Sequence, residues 1–96
     1  KKYFVFSGIG NNINFFKLLK KNKIYIHSHK FFPDHYPYSK KDIAQLKKEA
    51  YQKKLILLTT EKDYLRLTRT QKKNINFAKI KLKIEKEKEI INKLIS

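Results

Sequence analysis

The sequence contains no cysteine and no methionine, and only 8 acidic residues accompany 24 lysine and arginine residues. Without cysteine the chain has no disulfide and no thiolate metal site, and its composition does not indicate a redox compartment. No apolar run approaches the ~18–20 residues that a membrane-spanning helix needs, and no signal-peptide pattern opens the chain. Because the sequence starts on a strand-like run without methionine, we expect it to be a piece of a longer protein.

What the chain does contain is enough apolar surface for one small domain. Its 96 residues are 41% hydrophobic and include seven phenylalanines and six tyrosines. A disordered basic tail would carry far fewer aromatic side chains. The length therefore predicts a single folded domain over residues 1–96.

The net charge of +16 has two interpretations. It is the electrostatic signature expected for binding an anion such as nucleic acid, acidic lipid or a phosphorylated substrate. It is also the bias that an AT-rich genome would impose, because lysine, isoleucine and asparagine are abundant and the lysines are spread along the whole chain. Under either interpretation the surface should attract anions and acidic membrane headgroups.

Apolar patterning predicts strands that alternate with helices. The predicted strands are Tyr3–Ser7, 24–27, 55–59 and 77–84, and the helices between them begin after caps at Asn11 or Asn12, Ser39 and Thr60. A last helix is predicted from Ile90, Ile91, Leu94 and Ile95. Such alternation favours a small three-layer, Rossmann-like α/β domain with a mainly parallel four-stranded sheet. In such sheets the functional loops gather where strands end, here at 7–11, 27–39 and 59–63.

Each predicted helix has an apolar side that we expect to face the core. The predicted packing residues are Phe15, Phe16, Leu18 and Leu19 in the first helix, Ile43, Leu46, Ala50 and Tyr51 in the second, and Tyr64, Leu65 and Leu67 in the third. The strand at 77–84 alternates apolar residues with lysines, which is typical of a half-buried strand at a sheet edge.

The first loop contains two glycines, Gly8 and Gly10, between a strand and a helix. A dinucleotide fingerprint would need a third glycine where Ile13 stands, and no Gly-Lys-Ser/Thr sequence occurs, so this is not an ATP-binding P-loop. One interpretation is that the glycines permit a sharp turn with positive φ. The other is that backbone amides at the helix N-terminus receive a phosphate or an acidic side chain.

The second loop places Asp34 and His35 between two prolines. An acid beside a histidine in a loop at a strand end can support proton transfer or orient another group. The alternative is a packed turn in which Asp34 caps a local amide and His35 is surface. His27 and His29 are not expected to bind metal, because no acid or cysteine stands near them at ligand spacing.

The third loop places Glu61 and Asp63 in the first turn of a helix, with Lys62 between them. Acidic residues there stabilise the positive end of the helix dipole. Since residues two apart on a helix point to different faces, a catalytic carboxylate pair is not expected.

Together these loops resemble the second domain of the lipid A 4'-kinases (tetraacyldisaccharide 4'-kinases). The matching motifs are Gly8-Ile9-Gly10-Asn11, Phe15-Phe16, Phe32-Pro33-Asp34-His35 with Tyr38, and Thr60-Glu61-Lys62-Asp63, and the match covers about residues 3–84. Two positions depart from the family: Asn12 replaces a proline, which helps but is not required at the first helical position, and Tyr64 replaces a small residue.

The resemblance implies the C-terminal, lid-like domain of a two-domain P-loop kinase. That enzyme transfers the ATP γ-phosphate, with Mg²⁺, to the 4'-hydroxyl of tetraacyldisaccharide 1-phosphate and forms lipid IVA. It works peripherally on the cytoplasmic face of the Gram-negative inner membrane. The P-loop lysine, the Mg²⁺-binding acid and the catalytic aspartate belong to the N-terminal domain, so this chain alone is expected to be inactive and to bind no cofactor.

The resemblance also assigns roles within this chain. His35 would orient the catalytic aspartate of the N-terminal domain, with Asp34 supporting it. Gly8, Gly10 and Asn11 would border the same cleft. No firm role follows for Tyr38, Glu61, Lys62 or Asp63, which are expected to hold their loops in shape or to face the substrate.

The competing interpretation is a stand-alone module that binds RNA or DNA through its lysines. The charge and the aromatic content favour it. Most of the aromatic residues, however, fall on predicted core positions, and no RNA-binding motif is recognisable. Nucleic acid is therefore not expected as a partner.

Overall fold

The computed structural model describes residues 1–79 of the chain. Eight elements follow one another: β1 (Tyr3–Ser7), α1 (Asn12–Lys21), β2 (Ile26–Phe31), α2 (Lys40–Lys53), β3 (Ile56–Thr60), α3 (Glu61–Leu65), α4 (Arg69–Lys72) and β4 (Ile75–Ala78). No helix among these elements is long and apolar enough to cross a membrane.

The four strands form one sheet in the order β2-β1-β3-β4. Every neighbouring pair is parallel, so the carboxyl ends of all four strands reach the same edge of the sheet. Strand β4 lies at one side edge of the sheet, the position expected for the predicted strand 77–84. The predicted α/β fold with a parallel four-stranded sheet is confirmed.

Side chains of β1 alternate between the two faces of the sheet, which makes the domain three-layered. Phe4 and Phe6 belong to the apolar cluster that includes Leu46 of α2. Val5 belongs to the second cluster, together with Phe15 of α1. Helices α1 and α2 therefore cover opposite faces of β1. The two core clusters follow from the predicted alternation of strands and helices along the chain.

Polar caps begin each of the longer helices at the predicted residues. The Asn11 side chain accepts from the amide of Asn14 at the start of α1. At α2, the Ser39 hydroxyl and the Asp42 carboxylate form a reciprocal capping box. The hydrogen bond from the Ser39 amide lowers the pKa of Asp42 below its ordinary value.

Three of the four strands differ from the prediction in their bounds. The second strand is β2 at Ile26–Phe31 rather than 24–27, because pairing with β1 continues to the register of Ser7 with Phe31. The polar residues in the middle of β2 were not predicted as strand, because an edge strand can have exposed polar side chains that give no apolar pattern. The third strand begins one residue late, since the amide of Leu55 donates to the carbonyl of Ala50 and still belongs to the end of α2.

Two predicted packing residues are wrong, and one helix was not predicted. Tyr51 is 86% exposed and Leu65 is 65% exposed, because the parts of α2 and α3 that carry them face away from the sheet. Helix α4 is a short turn with its own capping box at Thr68 and Gln71, and it lacks an apolar stripe. Strand β4 begins at Ile75, since it pairs with Leu57 of β3. The rest of the predicted strand 77–84 beyond Lys79 and the predicted last helix lie outside the described residues.

Candidate functional site

The loops that follow β1, β2 and β3 meet at the carboxyl edge of the sheet. Backbone hydrogen bonds join the first two loops, from the Phe32 amide to the Ser7 carbonyl at 2.7 Å and from the His35 amide to the Gly8 carbonyl at 3.0 Å. The Gly8 amide in turn donates to Asp63 Oδ2 in the third loop at 3.1 Å. Three segments that are distant in sequence therefore form one connected structure around Gly8.

Asp63 is the centre of this structure. Its side chain is fully buried, with 0% exposure. The donors to its carboxylate are the Gly8 amide (3.1 Å), the Thr60 hydroxyl (2.7 Å), the Tyr38 hydroxyl (3.2 Å) and the Arg66 guanidinium (2.6 Å). A buried carboxylate is tolerated when its oxygens are hydrogen-bonded and its charge is paired, and both conditions hold here.

Tyr38 links the second loop to this carboxylate and to the core below. Its ring packs edge-on against Phe6, with centroids 5.5 Å apart. The Arg66 guanidinium lies over the same ring at 5.8 Å. Burial first, and the Asp63 charge second, raise the pKa of Tyr38 above its ordinary value. The hydroxyl therefore stays protonated and keeps donating to Asp63.

The two glycines of the first loop have different roles, and neither has a positive φ. The prediction of a positive-φ glycine turn is therefore wrong. A Cβ on Gly8 would lie 3.0 Å from both the Pro33 carbonyl oxygen and the Tyr38 hydroxyl. A Cβ on Gly10 would meet Asp34 Oδ2 at 3.5 Å, an ordinary contact. Glycine at position 8 is required by the close approach of the second loop.

We expect Gly8→Ala to lower the free energy of unfolding by about 1–3 kcal/mol, the usual cost of overpacking a filled site. Gly10→Ala is the matched control, because its added methyl group meets no backbone atom within the clash range. Urea unfolding of both variants checks this. A loss at Gly10 as large as the loss at Gly8 would contradict the role of close approach.

Asn12, a candidate helix cap that departs from the family pattern, connects two loops. Its Oδ1 accepts from the Ser7 hydroxyl at 2.6 Å and from the Ile9 amide at 3.1 Å. Its Nδ2 donates to the Phe32 carbonyl at 2.9 Å. A proline there could make none of these bonds. The sequence signal was the run of two asparagines, in which only one could be the helix cap.

His35 and Asp34 lie at the outer side of the site. His35 Nε2 is 3.6 Å from Asp34 Oδ2, and the two side chains are 69% and 47% exposed. The His35 backbone has φ 61°, a left-handed conformation that is uncommon for a residue with a side chain. Its amide is hydrogen-bonded to the Gly8 carbonyl while its imidazole points outward, so the ring is accessible on the surface of the loop.

The other predicted site residues divide between surface and structure. Asn11 caps α1 and is exposed, and Gly10 is exposed beside Asp34. Glu61 and Lys62 are exposed on the outer side of α3. Glu61 and Asp63 therefore point to different environments, as the two-residue spacing predicts. Arg66 was not predicted, although an arginine three residues after a helical aspartate is a signal for an ion pair.

The backbone amides of the first loop are already paired within the chain. The Gly8 and Ile9 amides, which a phosphate would need, already donate to the side chains of Asp63 and Asn12. Of the two interpretations of the loop amides, an acidic side chain from the same chain is the one found. Residues 1–79 also contain no group of three or more acids or histidines that could hold a metal ion.

Comparison with known proteins identifies the family. The model of the family described as tetraacyldisaccharide-1-P 4'-kinase matches residues 1–96. The chain belongs to this family. Its resemblance to the lipid A 4'-kinases, inferred from four motifs, is thereby confirmed.

Named relatives agree with this membership. A tetraacyldisaccharide 4'-kinase of Pelagibacter ubique is 47% identical over 95 residues, which are 99% of this chain and 30% of the relative. Those of Rickettsia typhi and Chlorobium phaeobacteroides are 47% and 50% identical over 66 residues, 69% of this chain and 21% and 19% of the relatives. The chain thus spans about a third or less of the 4'-kinases it matches. No solved structure matches it. The nucleic-acid-binding alternative finds no support in these relatives.

Proposed function

We propose that the chain is the C-terminal, lid-like domain of a lipid A 4'-kinase. The whole enzyme would transfer the γ-phosphate of ATP to the 4'-hydroxyl of tetraacyldisaccharide 1-phosphate and form lipid IVA. Membership of the tetraacyldisaccharide-1-P 4'-kinase family supports this. ATP and Mg²⁺ would bind the N-terminal P-loop domain, as the family resemblance implies.

One observation about His35 supports its catalytic role. The backbone of His35 is held in a left-handed conformation by a hydrogen bond to Gly8, while its side chain is 69% exposed. Lys23, Lys54 and Asn74 share this left-handed conformation, so the conformation by itself does not mark a site. What supports the role is an exposed imidazole beside a carboxylate at the carboxyl edge of the sheet, where the functional loops of parallel sheets gather.

In the proposed reaction the oxygen of the 4'-hydroxyl attacks the γ-phosphorus. The bond from that phosphorus to the bridging oxygen breaks, and ADP leaves with the electron pair. The hydroxyl proton passes to an aspartate of the N-terminal domain, which His35 would orient by a hydrogen bond. Asp34, 3.6 Å from His35 Nε2, would keep the imidazole in the required orientation. Phosphoryl transfer depends mostly on such positioning and electrostatics.

The charge of the chain supports a place at an acidic membrane surface. The net charge is +16, and lysine and arginine side chains near an anionic leaflet contribute about 1 kcal/mol each to attraction. We place the whole enzyme peripherally on the cytoplasmic face of the Gram-negative inner membrane, where its lipid substrate would be reached. Closure of the lid over the bound nucleotide would bring His35 to the reacting groups.

The test uses a chimeric enzyme in which this chain replaces the matching 95 residues of the Pelagibacter ubique relative. His35→Ala and His35→Gly are expected to lower kcat by about 100-fold, because the aspartate that takes the proton would lose the group that orients it, with KM for ATP little changed. Glycine adopts a left-handed backbone without strain, whereas alanine does not. Equal losses of kcat in the two variants would therefore show that the missing imidazole, and not backbone strain, lowers turnover.

His27→Ala is the matched control, because His27 is an exposed histidine of β2 away from the loops. It should leave kcat unchanged. Wild-type turnover in His35→Gly would remove His35 from the mechanism.

A further inference from the structure

We propose that Asp63 is the residue that positions His35 for the reaction, acting through the backbone of Gly8. The proposal rests on the catalytic role of His35 proposed above. Asp63 is fully buried and cannot touch a substrate. Its influence on turnover would therefore be exerted through the loop that it holds.

Two hydrogen bonds in series connect the two residues. Asp63 Oδ2 accepts from the Gly8 amide at 3.1 Å, and the Gly8 carbonyl accepts from the His35 amide at 3.0 Å. The second bond fixes the residue whose φ of 61° sets the direction of the imidazole. A displacement of Gly8 is thus transmitted to His35 with no intervening flexible side chain.

A second connection holds the same loop from its other side. The Tyr38 hydroxyl donates to Asp63 Oδ1 at 3.2 Å. Tyr38 stands three residues after His35, and its ring packs against Phe6. Asp63 therefore fixes the loop before His35 by way of Gly8 and after His35 by way of Tyr38.

Comparison of the helix caps in this chain shows that the Asp63 carboxylate does not serve its own helix in the usual way. In α2 and α4 the residue three after the cap accepts from the amide of the cap, as Asp42 does from Ser39 and Gln71 from Thr68. In α3 the equivalent residue is Asp63, and the backbone amide it accepts from is that of Gly8, 55 residues away in sequence.

The Thr60 hydroxyl caps α3 by accepting from the Asp63 amide at 2.9 Å, and it donates to Asp63 Oδ2 at 2.7 Å. The helix could be capped without a carboxylate at position 63. The Asp63 carboxylate is instead used to assemble the three loops.

The experiment is a double-mutant cycle in the chimeric enzyme. Asp63→Asn is expected to lower kcat about tenfold with KM for ATP unchanged, because nucleotide binding does not involve this loop. In the His35→Ala background the same change should alter kcat by less than about twofold, since the group it positions is already gone. A purely structural role would lower kcat by the same factor in both backgrounds.

Tyr38→Phe is the second variant, because it keeps the ring and removes only the donor to Asp63. It takes the place of Asp63→Asn in the cycle if that variant does not fold, and it should lower kcat in the wild-type background only. Gln52→Ala, an exposed change in α2, should leave kcat unchanged.

Two outcomes would overturn the inference. One is an equal loss of kcat in both backgrounds, and the other is wild-type kcat in Asp63→Asn and Tyr38→Phe. The proposed role of His35 is tested separately, because wild-type kcat in His35→Ala alone would remove His35 from the mechanism.

Discussion

Replacing Asp63 by alanine is expected to lower the free energy of unfolding of the chain by about 3–5 kcal/mol, because it leaves several buried donors without the carboxylate that pairs them. The change leaves the Gly8 amide and the Thr60 and Tyr38 hydroxyls without their acceptor. Buried donors without a partner each add a desolvation cost of about 1–3 kcal/mol. Because domains of this size are stable by only about 5–15 kcal/mol, this single change would remove much of the margin.

Urea unfolding at neutral pH measures this effect. Glu61→Ala is the matched control, since it removes a carboxylate from the same helical turn at an exposed position. We expect the control to stay within about 0.5 kcal/mol of the wild type, as surface changes usually do. Similar stability of the two variants would show that the carboxylate network around Asp63 contributes little.

The second large effect is expected at Phe6. Phe6→Ala should lower the free energy of unfolding by about 3–5 kcal/mol, because apolar burial is lost and a cavity is left behind. Phe6 is 0% exposed and lies on the central strand. Its ring contacts Tyr38 at 5.5 Å and Phe32 at 6.5 Å between centroids, both edge-on. The same residue therefore supports the core and the loop that carries His35.

Phe16→Ala provides the comparison for the same chemical change. Phe16 of α1 is half-buried, and its ring packs against His29 at 4.9 Å and Phe31 at 5.9 Å in β2, but it belongs to neither core cluster. Thermal unfolding should show a markedly smaller loss for Phe16→Ala than for Phe6→Ala. Equal losses would mean that the aromatic surface on α1 stabilises the domain as much as the core does.

The architecture could be predicted from the sequence because its signals are local. The run Tyr3–Ser7, the cap at Ser39 with Asp42, and the unbroken apolar segment before Thr60 each determine an element from neighbouring residues. Element boundaries were less certain where tertiary pairing decides them. Strand β2 extends to Phe31 only because β1 lies beside it, and no local pattern contains that information.

The site was predicted in its parts but not in its connections. Local chemistry and the family resemblance singled out Asp34 and His35, and composition indicated a helix cap at Thr60. Nothing local predicts that Asp63 accepts from an amide 55 residues earlier in the chain. Likewise, Gly8 was expected to provide a positive φ, whereas the structure needs it for the close approach of the Pro33 carbonyl. Contacts between segments that are distant in sequence cannot be predicted from the local patterns of a single sequence.

The most direct test of the central claim is a two-part complementation assay. This chain would be co-expressed with the remainder of the Pelagibacter ubique relative, and phosphate transfer from ATP to tetraacyldisaccharide 1-phosphate would be measured. We predict activity that requires both polypeptides and is lost when the chain carries His35→Ala. The account would be contradicted by absence of transfer from two parts shown to be folded and associated, or by full transfer with the His35→Ala chain.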